Sequence, residues 1–233
     1  HDALGEELNT SAIKAMEDVD VVAFLVDASK PVGTGDEWVA RQVREVRGAR
    51  KILVITKADL VSKETAIQQL EAARALGTWD DEVVLSSKNG PSVEGVVQAV
   101  AKWLPEGPKW FPEDMDTDQP FEVLVAEFIR EKILRSYRDE VPHSIGVVAD
   151  QMTYDRKKDM YRIFANVYVE RDSQKGIIIG KGGEAIKKVG IEARRDLEQM
   201  LGCKVFLDMQ VKVKKNWRRD LYQIRRFGYG EGM

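Results

Sequence analysis

Gly176-Ile177-Ile178-Ile179-Gly180-Lys181-Gly182-Gly183-Glu184-Ala185-Ile186 is an apolar run that breaks into a glycine turn and resumes as a helix-forming phrase. Glycine lets a sugar-phosphate backbone approach the main chain closely. A helix that opens directly after such a turn points unpaired N–H groups at an anion. Lys181, Lys187 and Lys188 add positive charge. Spacing decides which anion is meant. A nucleotide-phosphate loop reads G-x4-G-K-S/T. Here three residues separate Gly176 from Gly180, and Gly182 stands where the magnesium-binding hydroxyl belongs. The nucleotide reading of this turn fails on both counts, which leaves the shorter phrase G-x-x-G from Gly180 to Gly183.

The sequence around the turn has an α+β pattern. Val125, Ile129, Ile133 and Tyr137 recur every four residues, predicting a helix over 122–137. Residues 145–155 and 161–170 read as a hairpin around Lys157-Lys158-Asp159, with Tyr161, Ile163, Ala165, Val167 and Val169 on one face of its second strand. A helix is expected from about Glu184 to Leu201, broken near Gly190. A third strand places Val205, Leu207, Met209, Val211 and Val213 on one side, and a basic helix from Trp217 to Phe227 closes the chain. The expected order is α-β-β-α-α-β plus a terminal helix, forming a small antiparallel sheet with helices on one face. An apolar-G-x-x-G-x-x-Ile phrase between the second strand and a helix resembles the type II KH domain over residues 122 to 227. KH loops clamp the backbone of single-stranded RNA. The resemblance implies that Gly180, Lys181, Gly182 and Gly183 grip the backbone, with Lys187 and Lys188 adding charge. It also implies that Ile178, Ile179 and Ile186 floor the bases and that the strand Val205 to Val213 lines the far side of the cleft.

Charge distribution agrees with a localised polyanion site. Residues 175 to 227 hold 14 Lys/Arg against 6 Asp/Glu, a local +8 that leaves −11 for the remainder of the net −3. Hydrophobic residues are 43% and charged residues 32%, the balance of a soluble globular protein. The single cysteine, Cys203, excludes an intrachain disulfide and fits a reducing cytoplasm. Two histidines, His1 and His143, lie far from it in sequence, so no zinc site is expected and no metal site within this chain.

The first half is different in kind. Val21 to Val26, Ile52 to Ile55 and Val83 to Leu85 are short β-branched runs that do not alternate, as strands covered on both faces of a parallel sheet read. Amphipathic stretches follow each run, marked by Trp38, Val39, Val43 and Val46, then Ala66, Ile67, Leu70 and Ala73, then Val93, Val96, Val97, Val100 and Trp103. This β-α-β-α-β-α pattern winds as right-handed crossovers. Pro105, Gly107, Pro108, Pro112 and Pro120 then mark an extended linker. The expected organisation is residues 1–104, linker 105–120 and residues 121–233.

Thr56-Lys57-Ala58-Asp59 directly follows the second strand, and Ser86-Ser87-Lys88 directly follows the third. Open parallel sheets bind ligands at the carboxyl ends of their strands. The two phrases resemble the guanine-specificity pair of small GTP-binding proteins, N/T-K-x-D and S-A-K. The resemblance implies that Asp59 accepts two hydrogen bonds from guanine, Lys57 and Lys88 flank the base, Ser87 offers its N–H to the guanine oxygen, and Thr56 and Ser86 brace the loops. The chain holds no G-x4-G-K-S/T. The expected fold class, with the resemblance, is α/β, a truncated parallel-sheet P-loop GTPase-type domain missing about three upstream strands, followed by an α+β type II KH domain.

With Phe111-Pro112-Glu113-Asp114, Glu127 to Lys132, Gly190 to Arg194 and Val211 to Lys214, the whole chain resembles the Era GTPase family of bacteria. That resemblance implies GTP/GDP and Mg²⁺ as cofactors, both needing the upstream segment, and GTP hydrolysis by the full-length protein but not by this chain alone. It implies 16S rRNA, near its 3′ end, and the 30S subunit as partners in small-subunit assembly. It also implies a monomer that is cytoplasmic, with peripheral contact at the inner face of the membrane. The alternative is a nucleotide-independent KH protein that keeps a degenerate G domain as scaffold. A related assembly GTPase with two G domains lacks the G-x-x-G loop and fits less well.

Overall fold

The computed structural model describes residues 3–88, 90–109, 111–113, 115, 117–137 and 145–229. His1, His143 and Asp114 lie outside the described residues. The chain divides into two compact units: residues 12–110, and residues 111–233 together with 1–11. Helix α1 (Ala3–Lys14) begins in the latter and ends in the former.

In the unit of residues 12–110, β1 (Val21–Asp27), α2 (Thr34–Glu45), β2 (Arg50–Thr56), α3 (Lys63–Arg74), β3 (Asp81–Val84) and α4 (Gly90–Trp103) alternate. The strands form a parallel sheet in the order β1-β2-β3. β2 explains why its run does not alternate. Leu53 and Ile55 pack with Ala40, Val43 and Ala73, while Ile52 and Val54 pack on the opposite face with Ala99. β1 is covered on one face only, as a first strand at the edge of a three-stranded parallel sheet must be. Val22, Phe24 and Val26 are buried, but Leu25 is 59% exposed. It is an edge strand, and α4, the helix on that face, packs on β2 and β3. Helix α2 differs from expectation, because Ala40 and Val43 form its buried face and Trp38 and Val39 are exposed. The large side chains suggested a stripe one position removed from the one the crossover geometry buries.

The other unit holds α5 (Phe121–Ser136), β4 (Gly146–Asp155), β5 (Met160–Val169), α6 (Asp172–Ile179), α7 (Glu184–Leu201), β6 (Lys204–Val213) and α8 (Leu221–Arg226). Val125, Ile129 and Ile133 of α5 and Val189, Ala193 and Leu197 of α7 bury against Ile163, Ala165, Val167 and Val205 of the sheet. The sheet is mixed rather than antiparallel, since β4 and β5 pair antiparallel and β5 and β6 pair parallel. A parallel return needs a crossover of a dozen or more residues, and α6 and α7 supply it. The break expected at Gly190 is absent: α7 runs through it, and the missing side chain admits Met209, whose Cε lies 3.0 Å from where a Cβ would stand. The second of the two expected helices is instead α6, ahead of the glycine turn. The terminal helix is split at Asp220, whose carboxylate caps the N–H groups of Tyr222 and Gln223.

Trp217, Ile224 and Phe227 form a second small core with Leu4 of α1, packed against Val148 and Tyr168 on the sheet face away from α5 and α7. Phe227 stacks on Tyr168 at 4.8 Å. Gly146 is needed beneath it, because an added Cβ would meet the Phe227 ring at 2.3 Å. Gly146→Ala is therefore expected to destabilise the protein by about 1–3 kcal/mol through overpacking. An unchanged thermal midpoint for this variant would contradict the packing.

Candidate functional site

The glycine turn is built by backbone conformations that only glycine holds cheaply. Gly180, Gly182 and Gly183 all have positive φ, at 73°, 61° and 81°. Gly180 ends α6, and a Cβ there would sit 2.6 Å from the Ala185 Cβ. Lys181 to Gly183 make one tight turn and Gly183 is the N-cap of α7, so the first amides of α7 open beside the turn. At Gly182 and Gly183 an added Cβ would meet nothing within 4 Å, which leaves room for a bound backbone. Lys181, Lys187 and Lys188 are exposed around this mouth. Beyond it runs a cleft of about 320 Å³ between Ile186, Gly190, Ile191 and Arg194 on α7 and Leu207 and Met209 on β6. Ile186 lines it and Ile179 is half-buried against the core next to the turn, whereas Ile178 is wholly buried, with its carbonyl accepting a 2.9 Å hydrogen bond from Tyr137. Ile178 thus supports the floor from below and does not face the cleft.

The second constellation lies at the carboxyl ends of β2 and β3. Thr56 donates its hydroxyl to the Val26 carbonyl at 3.1 Å, tying β2 to β1. Lys57 is left-handed, with φ 57°, and its ammonium meets Asp27 Oδ2 at 2.6 Å. Asp59 starts the short turn Ala58–Leu60 with Ala58, whose N–H bonds the Leu85 carbonyl at 3.1 Å and so joins the two loops. The Lys88 ammonium lies 3.9 Å from Asp59 Oδ2. The Ser86 hydroxyl, first, and Lys88 hold the Asp59 carboxyl below its ordinary value, against desolvation. Ser86 is buried and Ser92 braces it: Ser92 Oγ accepts from the Ser86 N–H at 3.1 Å and donates to its carbonyl at 2.9 Å. Ser87 and Lys88 are exposed. The structure thus brings Thr56, Lys57, Asp59, Ser86, Ser87 and Lys88 to one rim.

Two contributors escaped the sequence reading, Asp27 and Ser92. Asp27 ends β1, so its place at the carboxyl edge of the sheet was the available signal. Hydrogen bonds from Lys57, then from the Ser29 hydroxyl and N–H, hold its carboxyl well below the usual range. Among the described residues no three of His, Cys, Asp and Glu gather as a metal cluster, and no helix is long and apolar enough to cross a membrane.

A parallel α/β unit with a carboxylate and two lysines at its strand ends, followed by an α+β unit with a left-handed glycine turn beside a cleft, defines a nucleotide-binding protein joined to a KH module. Residues 140–218 match the KH domain family. The chain is 41% identical over 232 residues to the GTPase Era of Fusobacterium nucleatum subsp. nucleatum, spanning 98% of this chain and 77% of that protein. It is 43% identical over 230 residues to the GTPase Era of Mycobacterium tuberculosis, spanning 97% and 77% respectively. Among solved structures, it superposes with a TM-score of 0.90 at 33% identity on a point variant of Aquifex aeolicus Era bound to GDP·AlF4⁻, covering 99% of this chain and 77% of that one. A crystal structure of Era in complex with MgGDPNP and nucleotides 1506–1542 of 16S ribosomal RNA gives 0.91 at 33% identity, with the same coverage. The chain belongs to the Era GTPase family.

Because the Asp27 carboxyl is depressed by Lys57, it contributes stability above the ordinary carboxylate value of about 3.9, and loses it as pH falls through the lower, folded value. Carbon-13 NMR titration of the Asp27 carboxyl is expected to show it still ionised near about pH 3 in the protein, and returned toward the ordinary value in Lys57→Met. An ordinary midpoint in the parent protein would contradict the pairing.

Proposed function

We propose that this protein is a GTP-regulated, rRNA-binding GTPase that acts on 16S rRNA near its 3′ end during assembly of the small ribosomal subunit. The nucleotide-binding domain expected over residues 1–104 begins instead at about residue 12, because residues 1–11 pack with the RNA-binding unit through Leu4; residues 105–120 link and 121–233 bind RNA. The observation that carries this reading is the three-glycine left-handed turn at the mouth of the α7–β6 cleft, in a chain of the Era family. Gly180, Lys181, Gly182 and Gly183, with Lys187 and Lys188, hold the RNA backbone, and Ile179 and Ile186 lie under the bases with Ile178 supporting them.

The rim at β2 and β3 fits a guanine base. The Asp59 carboxylate accepts from the paired N1–H and 2-amino donors, which adenine lacks. The aliphatic stems of Lys57 and Lys88 flank the ring, and the Ser87 N–H reaches the base oxygen while Thr56 and Ser86 hold the loops. GTP/GDP and Mg²⁺ are the cofactors this family membership implies, and the G-x4-G-K-S/T phrase that cradles phosphate and Mg²⁺ in such proteins is not among the residues of this chain. We further propose a cytoplasmic monomer whose membrane contact is peripheral, at the inner surface.

Gly182→Asp places a carboxylate against the phosphate path, in open space but at a positive φ of 61° that costs any side chain some strain and Asp less than most. It is expected to abolish binding to the RNA of 16S nucleotides 1506–1542 at matched salt, with an unchanged circular dichroism spectrum. Undiminished affinity would contradict the clamp. Asp59→Asn in the full-length protein is expected to weaken GTP binding and favour xanthosine triphosphate, whose 2-carbonyl accepts from an amide. Unaltered base preference would leave the RNA clamp standing without a guanine site.

A further inference from the structure

The β4–β5–β6 sheet has one face packed under α5 and α7. On its other face, the end carrying Gly146, Val148 and Tyr168 lies under Trp217, Phe227 and Tyr229. The opposite end of that same face belongs to none of the buried clusters among the described residues. Strand register defines it: Gln151 stands beside Phe164, Thr153 beside Arg162, Arg162 beside Phe206, and Phe164 beside Asp208. Phe164 and Phe206 are 39% and 48% exposed, and their rings meet edge to face at 6.3 Å. Two phenylalanines are thus presented side by side on a flat, hydrogen-bonded support.

The rim of this half-face is cationic. Arg162 and Lys204 are exposed on the strands, and the hairpin turn at the same end exposes Arg156, Lys157 and Lys158. The carboxylates on this half-face are Asp155, Asp159 and Asp208, and in the adjoining depression Glu198 lies 4.0 Å from Arg194. Asp155 is engaged by the N–H groups of Lys157 and Lys158, and Asp159 by the Tyr154 hydroxyl at 2.6 Å. Five cations against three carboxylates favour a polyanion over a neutral protein surface.

This half-face is continuous with the glycine cleft. β6 is the edge strand, and it presents Leu207 and Met209 to the cleft and Lys204 and Phe206 to the other side. Arg194 lines both the cleft and the depression that follows it, where Glu198, Gln199, Gly202 and Cys203 lead to Lys204. A strand leaving the cleft therefore passes Arg194 and Lys204 and turns over the sheet edge onto Phe206 and Phe164.

We propose that this half-face is a stacking platform for single-stranded RNA, with Phe164 and Phe206 receiving bases of nucleotides that leave the α7–β6 cleft past Arg194 and Lys204. Aromatic side chains on a cationic groove are a sequence-tolerant way to hold single strands, and a G-x-x-G clamp by itself holds only about four nucleotides. The platform rests on the RNA-clamp reading above and lengthens the site beyond it.

The test uses the full chain with the RNA of 16S nucleotides 1506–1542 and a series shortened from either end to the smallest binder. Phe164→Ala with Phe206→Ala is expected to weaken the long RNA at least about fivefold, the lower end for one displaced base–aromatic stack, and to leave the smallest binder unaffected. Phe164→Leu with Phe206→Leu keeps apolar cover without an aromatic ring, and should show the same selective loss with an unchanged thermal midpoint. Wild-type affinity of either double variant for the long RNA would overturn the platform. Gly182→Asp separates the two readings: loss of both RNAs with that variant, alongside intact binding by the phenylalanine variants, sinks the platform and leaves the clamp.

Discussion

The contact between Gly180 and Ala185 fixes the geometry on which the RNA-facing half of this protein depends. No side chain fits at Gly180, so α6 ends there in a left-handed turn and α7 starts within a few residues. That junction sets the direction of α7, and α7 must run back along the sheet for β6 to enter parallel to β5. The cleft is the space left between α7 and β6, closed at its floor by Ile186, Leu207 and Met209. Gly190 completes the arrangement by letting Met209 approach the helix axis. One steric requirement thus couples the glycine turn to the cleft beside it, the two features proposed to meet the RNA backbone and the bases.

The nucleotide-facing half relies on a different device. Parallel strands bring their carboxyl ends to one edge, and side chains there are locked by neighbours from adjoining strands. Lys57 is held by Asp27 of β1, Ser86 by Ser92 at the start of α4, and the β2 loop by the carbonyl of Leu85. The rim proposed for base recognition is therefore preorganised by the sheet. Each lock crosses from one strand or loop to another, so the rim exists only when the three strands are in register.

The strands of the parallel sheet were legible because Ile52 to Ile55 must be covered on both faces, and only a parallel core does that. The G-x-x-G turn was legible because its spacing excludes a nucleotide-phosphate loop. Helix α6 was not legible. Its residues end in Gly176 and three isoleucines, which locally favour a strand, and the helix is set by Gln174 accepting the N–H groups of Glu170 and Arg171. The break expected at Gly190 failed for the opposite reason: local propensity argues against glycine, while its value lies in a contact with β6 that no local pattern reports. Ile178 was placed at the cleft because it precedes the turn, yet helical rotation buries it. Trp38 and Val39 misled in the same way, since size and apolarity do not tell which side of a helix meets the sheet.

The central claim is that the left-handed glycine turn is where RNA backbone meets this protein. Amide NMR of the isotopically labelled chain, titrated with the RNA of 16S nucleotides 1506–1542, tests it most directly. The account predicts that the largest shifts fall on the amides of Gly180 to Glu184 and continue to Ile186, Leu207 and Met209. Binding that leaves the amides of Gly180 to Glu184 unmoved would contradict it.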